Sequence, residues 1–165
     1  MALYDLESLM DDVRTLYQTK LNDEITAINT EKSAVSGDVE FMSTLTTDDY
    51  FNLYLTNKVI NKKLFILVGI EREESPSEIM EENFIRQEAV SIQIFMPLTN
   101  QNLEKLWRKL LRYSRAIESV SLKNFDSIQG YGKLKTDRLT PSSFDFNGKE
   151  YLTAGVVVKS SISAR

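Results

Sequence analysis

The stretch Phe84-Ile85-Arg86-Gln87-Glu88-Ala89-Val90-Ser91-Ile92-Gln93-Ile94-Phe95-Met96-Pro97 leads into Asn102-Leu103-Glu104-Lys105-Leu106-Trp107-Arg108-Lys109-Leu110-Leu111-Arg112-Tyr113-Ser114-Arg115-Ala116-Ile117. In its first part Val90, Ile92, Ile94 and Met96 alternate with Ser91, Gln93 and Phe95. A period of two places one set on each face, which predicts a half-buried antiparallel strand. Pro97 stops that strand, and Thr99 or Asn100 can cap the helix that follows. In the second part Leu103, Leu106, Trp107, Leu110, Ser114 and Ile117 recur at helical steps and form an inner stripe. Lys105, Arg108, Lys109, Arg112 and Arg115 fall together on the opposite side, with no acid between Glu104 and Glu118. Salt pairing within this helix is therefore confined to its ends.

Working outward, residues 3 to about 31 read as one long helix on Leu3, Leu6, Met10, Val13, Tyr17, Leu21, Ile25 and Ile28, with Leu9 and Leu16 widening the stripe. Asp11, Asp12, Arg14, Gln18, Lys20, Asp23 and Glu24 form its solvated face. Ser33, Ser36 and Gly37 break it, and in the connector that follows Val39 and Phe41 tuck under the sheet. Thr46 or Thr47 caps a short helix, with Asp48 and Asp49 in its first turn, ending near Thr56. Leu64 to Ile70 is a short branched run, read as a buried strand. After the basic helix ends near Leu122, Gly130-Tyr131-Gly132 marks a turn, and Lys133 to Thr140 alternates weakly. Pro141 breaks that run, and Ser142 to Phe146 extends it. Asn147-Gly148 is a hairpin signal, and Lys149 to about Ser161 is the last strand, with Gly155 marking a bulge. No internal repeat appears. The fold expected is α+β: an antiparallel β-sheet covered by helices, with a long N-terminal helix and a C-terminal β-hairpin, in a single domain over residues 1–165.

Composition narrows the chemistry. The 165 residues are 42% hydrophobic and 27% charged, ordinary values for a chain long enough to bury one sizeable core. There is no cysteine and no histidine, which removes disulfides, thiolate and imidazole catalysis, and the usual zinc ligand sets. The net charge of −4 argues against a protein whose main task is coating nucleic acid, though a local basic face is compatible with it. No apolar run approaches the roughly 20 residues of a membrane helix. The start Met1-Ala2-Leu3-Tyr4-Asp5 lacks a basic region before an apolar core, so synthesis in the cytoplasm is the expectation.

Three places could hold a site. The acids Glu71, Glu73, Glu74, Glu78, Glu81 and Glu82 match no calcium-loop spacing, and read as a solvated loop or as a contact for a basic face on a neighbouring copy. Gly130-Tyr131-Gly132 lacks the further glycine and the Lys-Ser/Thr of a phosphate loop. The cations Lys105, Arg108, Lys109, Arg112 and Arg115 are the informative case. They fit a solvated face, an ion-pair surface toward another subunit or protein, or a surface for passing nucleic acid, since phosphate contacts need only Lys and Arg. Tyr113 is the one aromatic beside them, too few for base stacking.

The order of elements, with Leu21-Asn22-Asp23-Glu24-Ile25-Thr26-Ala27-Ile28-Asn29-Thr30-Glu31-Lys32 at the end of the first helix and Leu111-Arg112-Tyr113-Ser114-Arg115-Ala116-Ile117 in the later one, resembles the tail-terminator and neck (head–tail joining) proteins of tailed bacteriophages. The two short segments Ile28 to Lys32 and Arg112 to Ile117 carry the match beyond element order. The resemblance implies a structural virion protein without catalytic activity or cofactor. It implies a ring homo-oligomer, a hexamer, located in the virion tail or neck and made in the host cytoplasm. Its partners would be further copies of itself, the tail tube protein and the connector or neck proteins, with non-specific contact to DNA in the channel and none to membrane. Head-completion and tail-tube proteins are the close rivals within that group. A non-viral adaptor using the basic helix as its interface is the competing class, and an enzyme ranks third.

Overall fold

The alternating stretch is the central strand of a five-stranded sheet. The computed structural model describes residues 6–36, 41–52, 64–71, 85–99, 102–128 and 133–163. The central strand β3, Ile85–Pro97, pairs antiparallel with β2, Phe65–Glu71, on one side and with β5, Lys149–Ser163, on the other. Strand β4, Lys133–Phe146, folds back on β5 as a hairpin. A three-residue strand β1, Tyr50–Asn52, adds a parallel pair to β2 at the far edge, so the order is β1-β2-β3-β5-β4. The fold is α+β, with the long N-terminal helix and C-terminal hairpin that the sequence pattern predicts. The Asn147-Gly148 turn takes positive φ at both residues, 52° and 75°, the backbone that a tight two-residue hairpin demands.

Two details of the hairpin differ from expectation. Gly155 is not bulged. A Cβ there would lie 1.9 Å from the Ile92 carbonyl oxygen, so only hydrogen fits where β5 pairs with β3. The irregularity lies in the partner strand, between the pairs Leu139↔Gly155 and Ser142↔Thr153. Pro141 therefore does not end the strand. It sits at a bulge of an edge strand, where its missing N–H costs no ladder bond.

Helix α1, Leu6–Ser36, runs through Ser33 and Ser36 rather than breaking there. It lays Leu9, Met10, Val13, Leu16, Tyr17, Leu21, Ile25 and Ile28 against one sheet face, together with helix α2, Leu103–Asn124. That face contributes Ile66, Val68, Val90, Ile92, Ile94, Met96, Leu152, Ala154, Val156 and Val158. The opposite face holds a smaller aromatic cluster. Phe65 and Phe95 stack at 5.1 Å, and Tyr151 meets Phe65 edge-on at 5.8 Å. Phe51, Leu67 and Phe146 pack around these three. The centre of β3 is thus buried on both faces, more than a half-buried pattern implies: Ser91 and Phe95 lie inward of solvent like Ile92 and Ile94.

The connector after α1 is held differently from the expected tuck of Val39 and Phe41. Val39 lies outside the described residues, and Phe41 is 49% exposed. Met42 and Leu45 are the residues that enter the core. Asn29 of α1 accepts from Met42 N at 2.9 Å and donates to Met42 O at 2.9 Å. Asn22, seven residues earlier, accepts from Leu45 N at 2.9 Å and donates to Leu45 O at 2.7 Å. Two amide side chains on one helix face thus pair with an extended segment as a strand would. The helix expected from Thr46 or Thr47 to near Thr56 is one 3-10 turn, Thr47–Asp49. Thr46 N donates to Asp49 Oδ2 at 2.8 Å, as in a helix start, but Tyr50 then enters the sheet. Burial of the Tyr50 ring, with its hydroxyl donating to Tyr17 O at 3.1 Å, overrides the local helix signal. Residues 53–56 of that expected helix and the turn at Gly130-Tyr131-Gly132 lie outside the described residues.

Candidate assembly interface

Helix α2 is capped by Asn102, whose Oδ1 accepts from Glu104 N at 3.0 Å. Asn100 is outside the described residues, and Thr99 precedes the helix by too far to reach its first free N–H groups. The buried stripe comprises Leu106, Leu110, Tyr113, Ser114, Ala116, Ile117, Val120 and Ser121. Trp107 is half-buried against the core, and Leu103, expected inside, is 52% exposed. Tyr113 is not a flank of the cationic face. Its ring is in the core and its hydroxyl donates to Ser43 O at 2.9 Å. Burial pushes that phenol up to about 12, against the lowering effect of the hydrogen bond.

Of the five predicted cations, Arg108 and Arg115 form ion pairs with acids of the same subunit. Arg108 reaches Glu104, one turn back, at 2.6 Å. Arg115 forms a fork on Glu31 of α1, with contacts of 2.9 Å and 2.8 Å. Lys105 is exposed, and Lys109 and Arg112 are half-buried. Of the acidic residues singled out from the sequence, Glu71 ends β2, while Glu73, Glu74, Glu78, Glu81 and Glu82 lie outside the described residues.

Sequence reading missed the acids of α1 that do converge there. Glu24, read as solvated, accepts from Lys123 at 2.8 Å and from Ser119 at 2.7 Å. Burial alone would raise its carboxyl, but hydrogen bonds from Lys123 and Ser119, with the charges of Lys123 and Arg115, hold it below the usual carboxylate range. The Arg115 fork holds Glu31 low in the same way. Arg14, expected on the solvated face, donates from its guanidinium to Tyr50 O at 3.3 Å. On the other flank of α2, Glu118 pairs with Arg138 of β4. Arg115 of the cationic stripe thus ties helix to helix, and Glu118 of α2 ties helix to sheet. The signal that could have found this was the seven-residue spacing of Glu24 and Glu31, facing Lys123 and Arg115 across an antiparallel helix pair.

What remains outward is mixed in character. Leu111 is 55% exposed and Leu122 73% exposed, and eleven residues of helix bring them to nearly the same direction as Glu104, Arg108 and Arg115. Such a face suits contact with another macromolecule better than chemistry. Among the described residues no three acids, histidines or cysteines converge to hold a metal. Asn29, in a surface depression of about 380 Å³, is engaged with Met42, and Asp145, in another of about 560 Å³, accepts from Gly148 N. Tyr17 donates to Ile117 O at 3.0 Å and contacts Ser121, a hydroxyl pair sealed in the core rather than open to a substrate. No helix of the described residues is long and apolar enough to cross a membrane. Compared with models of known protein families and with curated protein sequences, the chain matches none.

Proposed function

We propose that this chain is a structural virion protein, a tail-terminator-like ring subunit that caps a tail tube and joins it to the head or neck. The observation that supports it is the outward face of α2, where exposed Leu111 and Leu122 lie among Arg108, Arg112 and Arg115 on a rigid, well-anchored helix. Apolar and cationic groups side by side make a contact surface, with the arginines setting orientation and the leucines contributing burial. The resemblance of Ile28 to Lys32 and Arg112 to Ile117 to neck proteins supplies the biological setting. Identical subunits close a ring by head-to-tail contacts, and the ring offers one layer to the tube and one to the connector. The basic face then meets acidic groups of an adjoining layer or the phosphates of DNA in the channel.

Reversal of charge tests this reading. The variant Arg108→Glu with Arg112→Glu removes exposed or half-exposed pairs of the kind worth under about 1 kcal/mol, so the subunit should keep its fold. Its docking to purified tail tubes should be lost. Unchanged docking, with wild-type protein absent from virions, would overturn the proposal.

A further inference from the structure

We propose that neighbouring copies of this chain join edge to edge through the sheet, the free edge of β4 in one copy receiving the β1–β2 edge of the next. The inference rests on the ring reading above and names the surface that closes the ring.

Strand direction is the first ground. β1 and β2 run one way, β3 the other, β5 with β1, and β4 against it. A second copy set beside β4 in the same orientation therefore presents β1 antiparallel to it, the commoner and slightly stronger pairing.

The second ground is the backbone of β4. Among the described residues no strand lies beyond it, and its residues are exposed or half-exposed from Leu134 to Phe146. The two-residue turn makes Phe146–Lys149 a hydrogen-bonded pair, so Asp145–Glu150 is a non-bonded one. Glu150 O accordingly faces the other way and accepts from Leu98 N at 2.8 Å. By the same parity the N–H and C=O of Ser143 and Asp145 point to the open edge. That edge is a template for another strand. The bulge at Thr140 and Pro141 divides it, which limits a partner to a short strand, and β1 spans three residues.

Charge is the third ground. Over its full length β4 has Lys133, Lys135 and Arg138 against Asp137 and Asp145, a net of +1. The opposite edge, residues 47–52 with 65–71, has Asp48, Asp49 and Glu71 and no base, a net of −3. Identical edges would repel, whereas unlike edges attract, which favours a head-to-tail ring over a two-fold dimer.

The chain has no cysteine, so engineered ones report cleanly. Asp48 and Ser142 are both exposed, beside β1 and on β4. Wild-type assembly is first measured by sedimentation. Under oxidant, D48C and S142C should each stay uncrosslinked, their mixture should give covalent dimers, and the double variant should give a ladder. Ser143→Pro removes one outward N–H and no ladder bond. It should keep the circular dichroism of the wild type and raise the half-assembly concentration about tenfold or more. Dimers from S142C alone would mean β4-to-β4 pairing and overturn the inference. Wild-type rings with no cross-link and no effect of proline would overturn edge pairing and leave the ring reading standing. A wild type that never assembles would overturn both.

Discussion

Gly155 and the pair Asn22 and Asn29 are where single side chains decide local geometry. At Gly155 the nearest backbone atom would sit 1.9 Å from an added Cβ, and backbone cannot swing aside as a side-chain tip does. Gly155→Ala should therefore cost more than about 3 kcal/mol in urea unfolding, the range of severe overpacking. A loss under 1 kcal/mol would show that β3 and β5 separate more easily than their register implies. Asn29→Ala strips both hydrogen bonds from the Met42 backbone and leaves a part-buried N–H and C=O unpaired. A loss of about 2–4 kcal/mol follows, and Asn29→Asp, which keeps the acceptor, should fall between. The composition of α1 hid these asparagines: a polar residue on an amphipathic helix reads as solvent-facing until a second segment is known to pass beside it. Gly155 was legible as unusual in a strand, but its cause, the close approach of β3, depends on a strand sixty residues away.

At the scale of elements, the seam between α1 and α2 makes a pH prediction. Glu24 and Glu31 have carboxyls held below their ordinary values by cations of α2. Groups of this kind stabilise the fold above the unfolded pKa of about 4.3, and that contribution is lost as pH falls through the lower folded values. The melting temperature should drop from pH 5 toward pH 3, and the variant E24Q with E31Q should show a shallower drop from a lower start. Equal slopes would remove these carboxylates from the account. Tyrosine burial acts at the other end. Tyr17, Tyr50 and Tyr113 have phenols raised by burial, Tyr113 to about 12. Unfolded tyrosine ionises near 10, so stability present below that pH is lost as pH rises toward the folded values. Cooperative unfolding above about pH 11, with tyrosinate absorbance appearing in the same transition, is expected. Long periodic elements were legible: α1, α2, β3 and the hairpin follow from spacing and Asn147-Gly148. Short β1 was not, because a capping residue followed by acids is a genuine helix start, and only the pull of the core on Tyr50 redirects it.

At the scale of the whole molecule, the charge pattern has two jobs. Arg115, Lys123 and Arg138 secure α2 to α1 and to the sheet, Arg108 pairs with Glu104 one turn back along α2, and Leu111 and Leu122 stay exposed on the outward face. The sequence exposed the stripe, because cations at helical steps are visible in one dimension. It could not divide the stripe between internal and external use, because Glu24 and Glu31 stand about ninety residues from their partners. Association through the sheet edges and the α2 face is the central claim, and native mass spectrometry of the purified chain over rising concentration tests it most directly. A single closed oligomer of fixed copy number is expected, built from the 18.9 kDa subunit and persisting on dilution more than open chains would. An 18.9 kDa monomer at every concentration would contradict it.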